Sequence, residues 1–160
     1  MIYEDRFNPK EIEALRFIQN MLHISDEILD YIIAYIGYES NFNSQAKHRI
    51  SKTCISIGFI YYLSKSIRKF STPKEISLMP PEEQILFLGT YLKPHKNKLK
   101  TLRNVVGVLI DPKFIDVSLN HNVYNSKLQF NRFVIGGILP LETVYSEVES
   151  LYLRGKYGRE

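Results

Sequence analysis

Apolar residues recur at three- and four-residue spacing through most of this chain, the period of an amphipathic α-helix. In the first such stretch Ile12, Leu15, Ile18 or Gln19, and Leu22 form one stripe. Asn8-Pro9-Lys10-Glu11 precedes it with an N-cap residue, a proline at the first helical position and a glutamate at the third. This pattern predicts a helix from there to about Leu22. Ser25 followed by Asp26 and Glu27 predicts a second start, its acidic first turn suited to the positive end of the helix dipole. Ile28, Ile32, Tyr35 and Ile36 carry that helix on to Glu39. Residues 44–53 are polar and basic and read as a loop. Ile55 and Ile57 are β-branched and admit a short strand, but the apolar spacing through Tyr61 to Phe70 favours a helix from about Ser56 to Lys69.

Thr72-Pro73-Lys74-Glu75 repeats the cap, proline and glutamate pattern and predicts a short helix stopping before Pro80. Pro80-Pro81-Glu82-Glu83 opens another, with Ile85, Leu86, Leu88, Gly89 and Leu92 inward and its end before Pro94. A further helix is expected from about Leu99 to Ile110, limited by Pro112. The segment from Lys113 to Gly137 shows no clear period and reads as loops and short helical turns. Pro140 then starts a last helix in which Leu141, Val144, Val148 and Leu151 share a face, with the chain beyond Arg154 frayed or bound to a partner. The expectation is a single, mainly α domain over residues 1–160, with room for a short β element.

Composition changes this picture little. The chain has 160 residues, 44% hydrophobic and 24% charged, the balance of an ordinary globular domain. No apolar run approaches the roughly 20 residues needed to cross a bilayer, and Met1 to Phe7 carries charges where a secretory signal needs an apolar segment. No membrane span and no signal peptide are expected. Cys54 is the only cysteine, so no intrachain disulfide and no cysteine cluster can form. Beside Ile55 and Ile57 it reads as a packing residue rather than as a thiol activated by His48. His23, His48, His95 and His121 show no metal-ligand spacing, and neither a metal nor a cofactor is expected.

Charge narrows the partners only in sign. A formal net charge of +4 and a pI near 9.1 favour acidic partners in general. The basic residues gather in two places, Lys93, His95, Lys96, Lys98, Lys100 and Arg103, then Lys65, Arg68 and Lys69. Both groups read as solvated helix faces. No DNA or RNA module accompanies them, so no specific nucleic acid is expected.

The chemistry concentrates at Glu39. Counting along the face of Ile28, Ile32, Tyr35 and Ile36 places its carboxyl where apolar groups point. Burial there disfavours the charged form and raises the pKa toward the range of a general acid near neutral pH. The alternative is a helix-end glutamate that reaches solvent and does nothing chemical. Ser40, Asn41 and Asn43 supply short polar groups suited to ending the helix and bonding nearby backbone.

Glu39-Ser40-Asn41-Phe42-Asn43 at the end of an apolar helix is followed in order by Ile57-Gly58-Phe59, Ser77-Leu78-Met79-Pro80-Pro81-Glu82-Glu83-Gln84, Tyr91-Leu92-Lys93-Pro94 and Lys100-Thr101-Leu102. This order resembles the lysozyme-like superfamily of lytic transglycosylases and goose-type lysozymes, particularly forms carried on bacteriophage tails and virions. The resemblance covers residues 28–112, with residues 138–154 as a C-terminal helical extension. It implies a lysozyme-like helical fold and cleavage of the β-1,4 bond between N-acetylmuramic acid and N-acetylglucosamine. Glu39 then matches the single catalytic glutamate and Ser40 the serine beside it. Gly58, Tyr61, Tyr62, Tyr91 and Tyr124 are the further residues expected at the saccharide cleft.

The implied partners are peptidoglycan glycan strands and phage tail or virion proteins, and the implied place of action is the bacterial cell wall. Two positions depart from the family pattern. Gly58 stands where relatives carry a sugar-contacting glutamine, and Val106 aligns with a tyrosine that often closes the site, for which Tyr124 could supply a replacement hydroxyl. The stretch Leu128 to Arg132 also lacks the acids of a calcium loop. These departures leave a second expectation open, a lysozyme-fold structural component with weak or no catalysis.

Overall fold

A computed structural model describes residues 1–45, 47–51, 54–57, 75, 78–122 and 139–158, with the backbone alone for 47–51 and 54–57. The chain is mainly α-helical. Helix α1 (Pro9–Leu22) begins on a complete capping box: the Asn8 side chain accepts from the Lys10 and Glu11 amides, and the Asn8 amide donates to Glu11 at 2.6 Å. Helix α2 (Asp26–Ser40) starts where Ser25 accepts from the Ile28 amide. Strands β1 (Lys47–Ser51) and β2 (Cys54–Ile57) follow. Helices α3 (Pro81–Leu92), α4 (Leu102–Ile110) and α5 (Leu141–Tyr157) complete the order, with 3-10 turns at Glu4–Arg6, Lys93–Lys98 and Pro112–Phe114.

Helix α2 is the centre of the molecule. Leu29, Ile32, Ile33, Ala34, Tyr35 and Ile36 are fully buried, so apolar groups surround it on all sides, as suits a helix enclosed by others. It packs on α5 and α4, while α1 packs on α3. The α1 to α3 crossing is close because Gly89 has no side chain: a Cβ there would lie 2.5 Å from the Ile18 Cγ2. At the far side Tyr152 of α5 meets Tyr31 of α2 edge-on, with ring centroids 4.7 Å apart. No helix among the described residues is long and apolar enough to cross a membrane.

Several expectations need correction. Residues within the expected loop 44–53 form β1, which pairs antiparallel with β2 in the register Lys47 to Ile57, His48 to Ser56 and Arg49 to Ile55. Ser56 and Ile57 are therefore strand, not the first turn of a helix. Pairing with a polar strand satisfies the backbone of the β-branched segment, which helical spacing farther along had outweighed. Leu86 is 38% exposed, because α3 turns Gln84, Ile85, Leu88, Gly89, Tyr91 and Leu92 inward instead. Helix α4 starts at Leu102, later than expected, since Thr101 is its N-cap and accepts from the Asn104 amide. Helix α5 runs on past Arg154 to Tyr157, with Leu151 partly buried against the core as expected and Tyr152 buried as well. The rest of the helix expected to Lys69, all but Glu75 of the Thr72–Glu75 signal, and Leu128 to Arg132 lie outside the described residues.

Candidate functional site

Glu39 lies in the last turn of α2 and is 8% exposed. The same count of three and four that buries Ile28, Ile32, Tyr35 and Ile36 brings it inward. Its neighbour one turn back is decisive. The Tyr35 hydroxyl donates to Glu39 Oε1 at 2.7 Å, and among the described residues it is the hydrogen-bond partner of that carboxyl. Burial pushes the Glu39 pKa up to about 8, and the Tyr35 hydrogen bond opposes this by favouring the carboxylate. Tyr35 is held well above its usual range by burial first and by the Glu39 charge second, so it stays a neutral donor. Among the described residues no second carboxylate contributes to the shift at Glu39. Asp111 accepts from the Lys113 amide at 3.1 Å and pairs with the Lys113 ammonium at 3.5 Å.

The segment after Glu39 is fixed from three sides. Asn41 and Phe42 both take left-handed backbone, with φ of 51° and 62°, which turns the chain sharply at the helix end. The Phe42 ring then folds back over Gly37, where a Cβ would meet the ring at 2.5 Å. Tyr3 and Phe7 pack on that ring with centroids 4.9 and 5.7 Å away, and the Arg6 guanidinium lies 5.5 Å from its centroid. Buried Gln84 ties the segment to α3, its amide donating to the Ser44 carbonyl at 3.0 Å. Asn43 accepts from the Gln45 amide, the local role expected of it.

No family model, characterised protein or solved structure matches this chain. The reading of the site therefore stands on its geometry and on the motif order in the sequence.

Two of the other expected site residues can be placed. Ser40 is buried beside Glu39, and its hydroxyl donates to the Ile36 carbonyl at 2.8 Å, one turn back along α2. Tyr91 is 4% exposed and its hydroxyl donates to the Val108 carbonyl at 2.7 Å, joining α3 to α4. Its ring is packed in the core and offers no open face to a sugar in this conformation. Val106, expected from the resemblance to align with a tyrosine, is fully buried on α4. Gly58, Tyr61, Tyr62 and Tyr124 lie outside the described residues. Sequence reasoning counted Tyr35 only as an apolar-face residue and missed it as the partner of Glu39. The signal was present, a hydroxyl four residues before the acid and so on the same helix face.

The phenol sets how far the acid's pKa rises. Tyr35→Phe removes the donor that favours the carboxylate, so the Glu39 pKa should move above about 8. Any activity that needs protonated Glu39 would then persist to higher pH. An alkaline limb unmoved in a pH–rate profile of Tyr35→Phe would contradict this role.

Proposed function

We propose that this chain is a lysozyme-like enzyme that cleaves peptidoglycan glycan strands at the β-1,4 bond between N-acetylmuramic acid and N-acetylglucosamine. The observation that carries the reading is a single carboxyl, buried at a helix end and protonated up to about pH 8, with a phenol as its partner. A protonated carboxyl at neutral pH is what departure of a sugar leaving group requires. Glu39 would donate its proton to the glycosidic oxygen as the bond to the muramic acid C1 breaks. The resulting carboxylate would then take the proton from the attacking oxygen.

In a lytic transglycosylase that oxygen is the C6 hydroxyl of the same muramic acid, which closes a 1,6-anhydro ring. In a lysozyme it is water. Most glycosidases employ two carboxylates. A nucleophile supplied by the substrate needs one, which agrees with a Glu39 pKa shifted by burial and Tyr35 and by no acid among the described residues. With the resemblance to phage-borne relatives, the reading places the protein on a tail or virion and its action at the bacterial wall.

The test is digestion of purified sacculi by wild type and Glu39→Gln. Wild type should release muropeptides, with mass spectrometry distinguishing anhydro from reducing ends, and the variant should release none. Equal release by both would sink the enzymatic reading. A second reading, a structural tail or virion component with weak or no catalysis, is favoured by the Ser40 and Tyr91 hydroxyls, which are both donated to backbone carbonyls. It predicts no release by either protein.

A further inference from the structure

One described stretch of the chain combines exposed positive charge with the absence of any acid. From Gln84 to Ile110 there is no Asp or Glu, while Lys93, Lys96, Lys98, Lys100 and Arg103 supply five of the 21 basic residues. The rest of the chain carries 16 basic residues against all 17 acids, seven of those basic residues in a second acid-free stretch, residues 40–74. All five are exposed, and none takes part in an ion pair among the described residues. The stretch is not a loose tail. Leu92 and Leu99 are buried at its two ends, and the 3-10 turn Lys93–Lys98 runs directly from α3.

That turn makes the arrangement unfavourable for the isolated protein. At three residues per turn, side chains three apart eclipse, which stacks Lys93 over Lys96 and His95 over Lys98. His95 accordingly has its pKa lowered, by burial first and by the Lys98 charge second. Like charges at such spacing repel. A run of exposed cations with no acid between them in sequence attracts a chain of regularly spaced negative charges, whose condensed counterions are released on binding.

The residue types choose among polyanions. No Phe, Tyr or Trp occurs between Tyr91 and Phe114, and Tyr91 is buried, so the half-buried His95 imidazole is the one ring this stretch offers to a base. Four of the five cations are lysines, which act as point charges rather than as the planar forks that read base edges. We propose that Lys93 to Arg103 is a docking surface for a phosphodiester-linked polyol chain of the bacterial wall. Its choice of source rests on the reading of Glu39 as a wall-cleaving acid. Bound along this row, such a polymer would hold the protein at the wall through contacts separate from the Glu39 carboxyl.

The experiment titrates the full-length protein with poly(glycerol phosphate) at a series of salt concentrations. The variant is Lys96→Gln/Lys98→Gln/Lys100→Gln, and Lys10→Gln/Lys113→Gln/Arg154→Gln is a charge-matched control, with circular dichroism verifying the fold of each. Wild type should bind, the first variant should bind at least tenfold more weakly with a log–log salt slope shallower by about 3, and the control should stay within about twofold. Absence of binding, equal binding by wild type and the row variant, or equal losses in both variants would each overturn the proposal. Tenfold preference for single-stranded DNA of matched charge would transfer the surface to nucleic acid and overturn it as well. Glu39→Gln should bind as wild type does, so loss of sacculus cleavage and loss of polymer binding report separately on the two readings.

Discussion

Glu39→Gln is expected to leave the protein folded, to lower glycan cleavage by about 10²–10⁴-fold, and to be more stable than wild type at about pH 8 and above. The activity loss follows from removing the one proton donor while keeping its shape and its acceptor for Tyr35. The stability gain follows from linkage. In the unfolded chain Glu39 titrates near 4.5, and in the folded protein near 8. Between these values the folded state holds a proton that the unfolded state has released, so wild-type stability falls as the pH climbs from 4.5 through about 8. The full window is worth up to roughly 5 kcal/mol. Glutamine does not titrate and has no such slope. Its buried NH2 group costs about 1–3 kcal/mol if unpaired, which sets the variant below wild type in acid and lets the two curves cross between about pH 5 and 7. Urea unfolding at pH 5, 7 and 9 would show the crossing, and parallel curves would contradict burial of an ionisable carboxyl.

Asp30→Ala should cost about 3 kcal/mol without touching the Glu39 carboxyl. Asp30 is 4% exposed on α2 and accepts from the Ile2 amide at 2.9 Å. The amino group of Met1 lies 3.9 Å from its Oδ1, and Lys156 of α5 lies 3.9 Å from its Oδ2. One carboxylate thereby ties the first residues and the last helix to the central helix. Alanine leaves the Ile2 donor and two cations without their acceptor, a loss that exceeds the worth of an exposed ion pair. Because Tyr3 and Phe7 of the same N-terminal stretch pack on Phe42, the loosening should reach the segment after Glu39. Chemical denaturation should show a lower midpoint with an unchanged m-value. A midpoint within about 0.5 kcal/mol of wild type would mean that the cluster contributes little.

The parts of this fold that were legible in the sequence are those specified locally. Asn8 with Pro9 and Glu11, Ser25, and the stripes of α1, α2 and α5 act within a turn or two, so cap chemistry and period three to four reveal them. A short strand at Ile55 and Ile57 was admitted but set behind a helix, and its partner β1 was missed, because strands depend on each other across the hairpin and Lys47 to Ser51 carries no alternation of its own. Burial of Glu39 was readable from helix period, and its phenol partner lies at the same period. Asp30 was not readable. Its partners, the Ile2 amide and Lys156, come from opposite ends of the chain, and no local pattern marks an acid that will be enclosed by them. Phe42 belongs to the same class: its sharp backbone turn and its fit over Gly37 become visible only once Tyr3 and Phe7 are packed upon it.

Everything proposed for the site depends on Glu39 holding its proton at neutral pH. Carboxyl carbon-13 NMR of glutamate-labelled protein, with the Glu39 resonance assigned by its loss in Glu39→Gln, measures that protonation without any substrate. A titration midpoint near 8 is the expected result, and a midpoint near the 4.5 of an ordinary glutamate would contradict it.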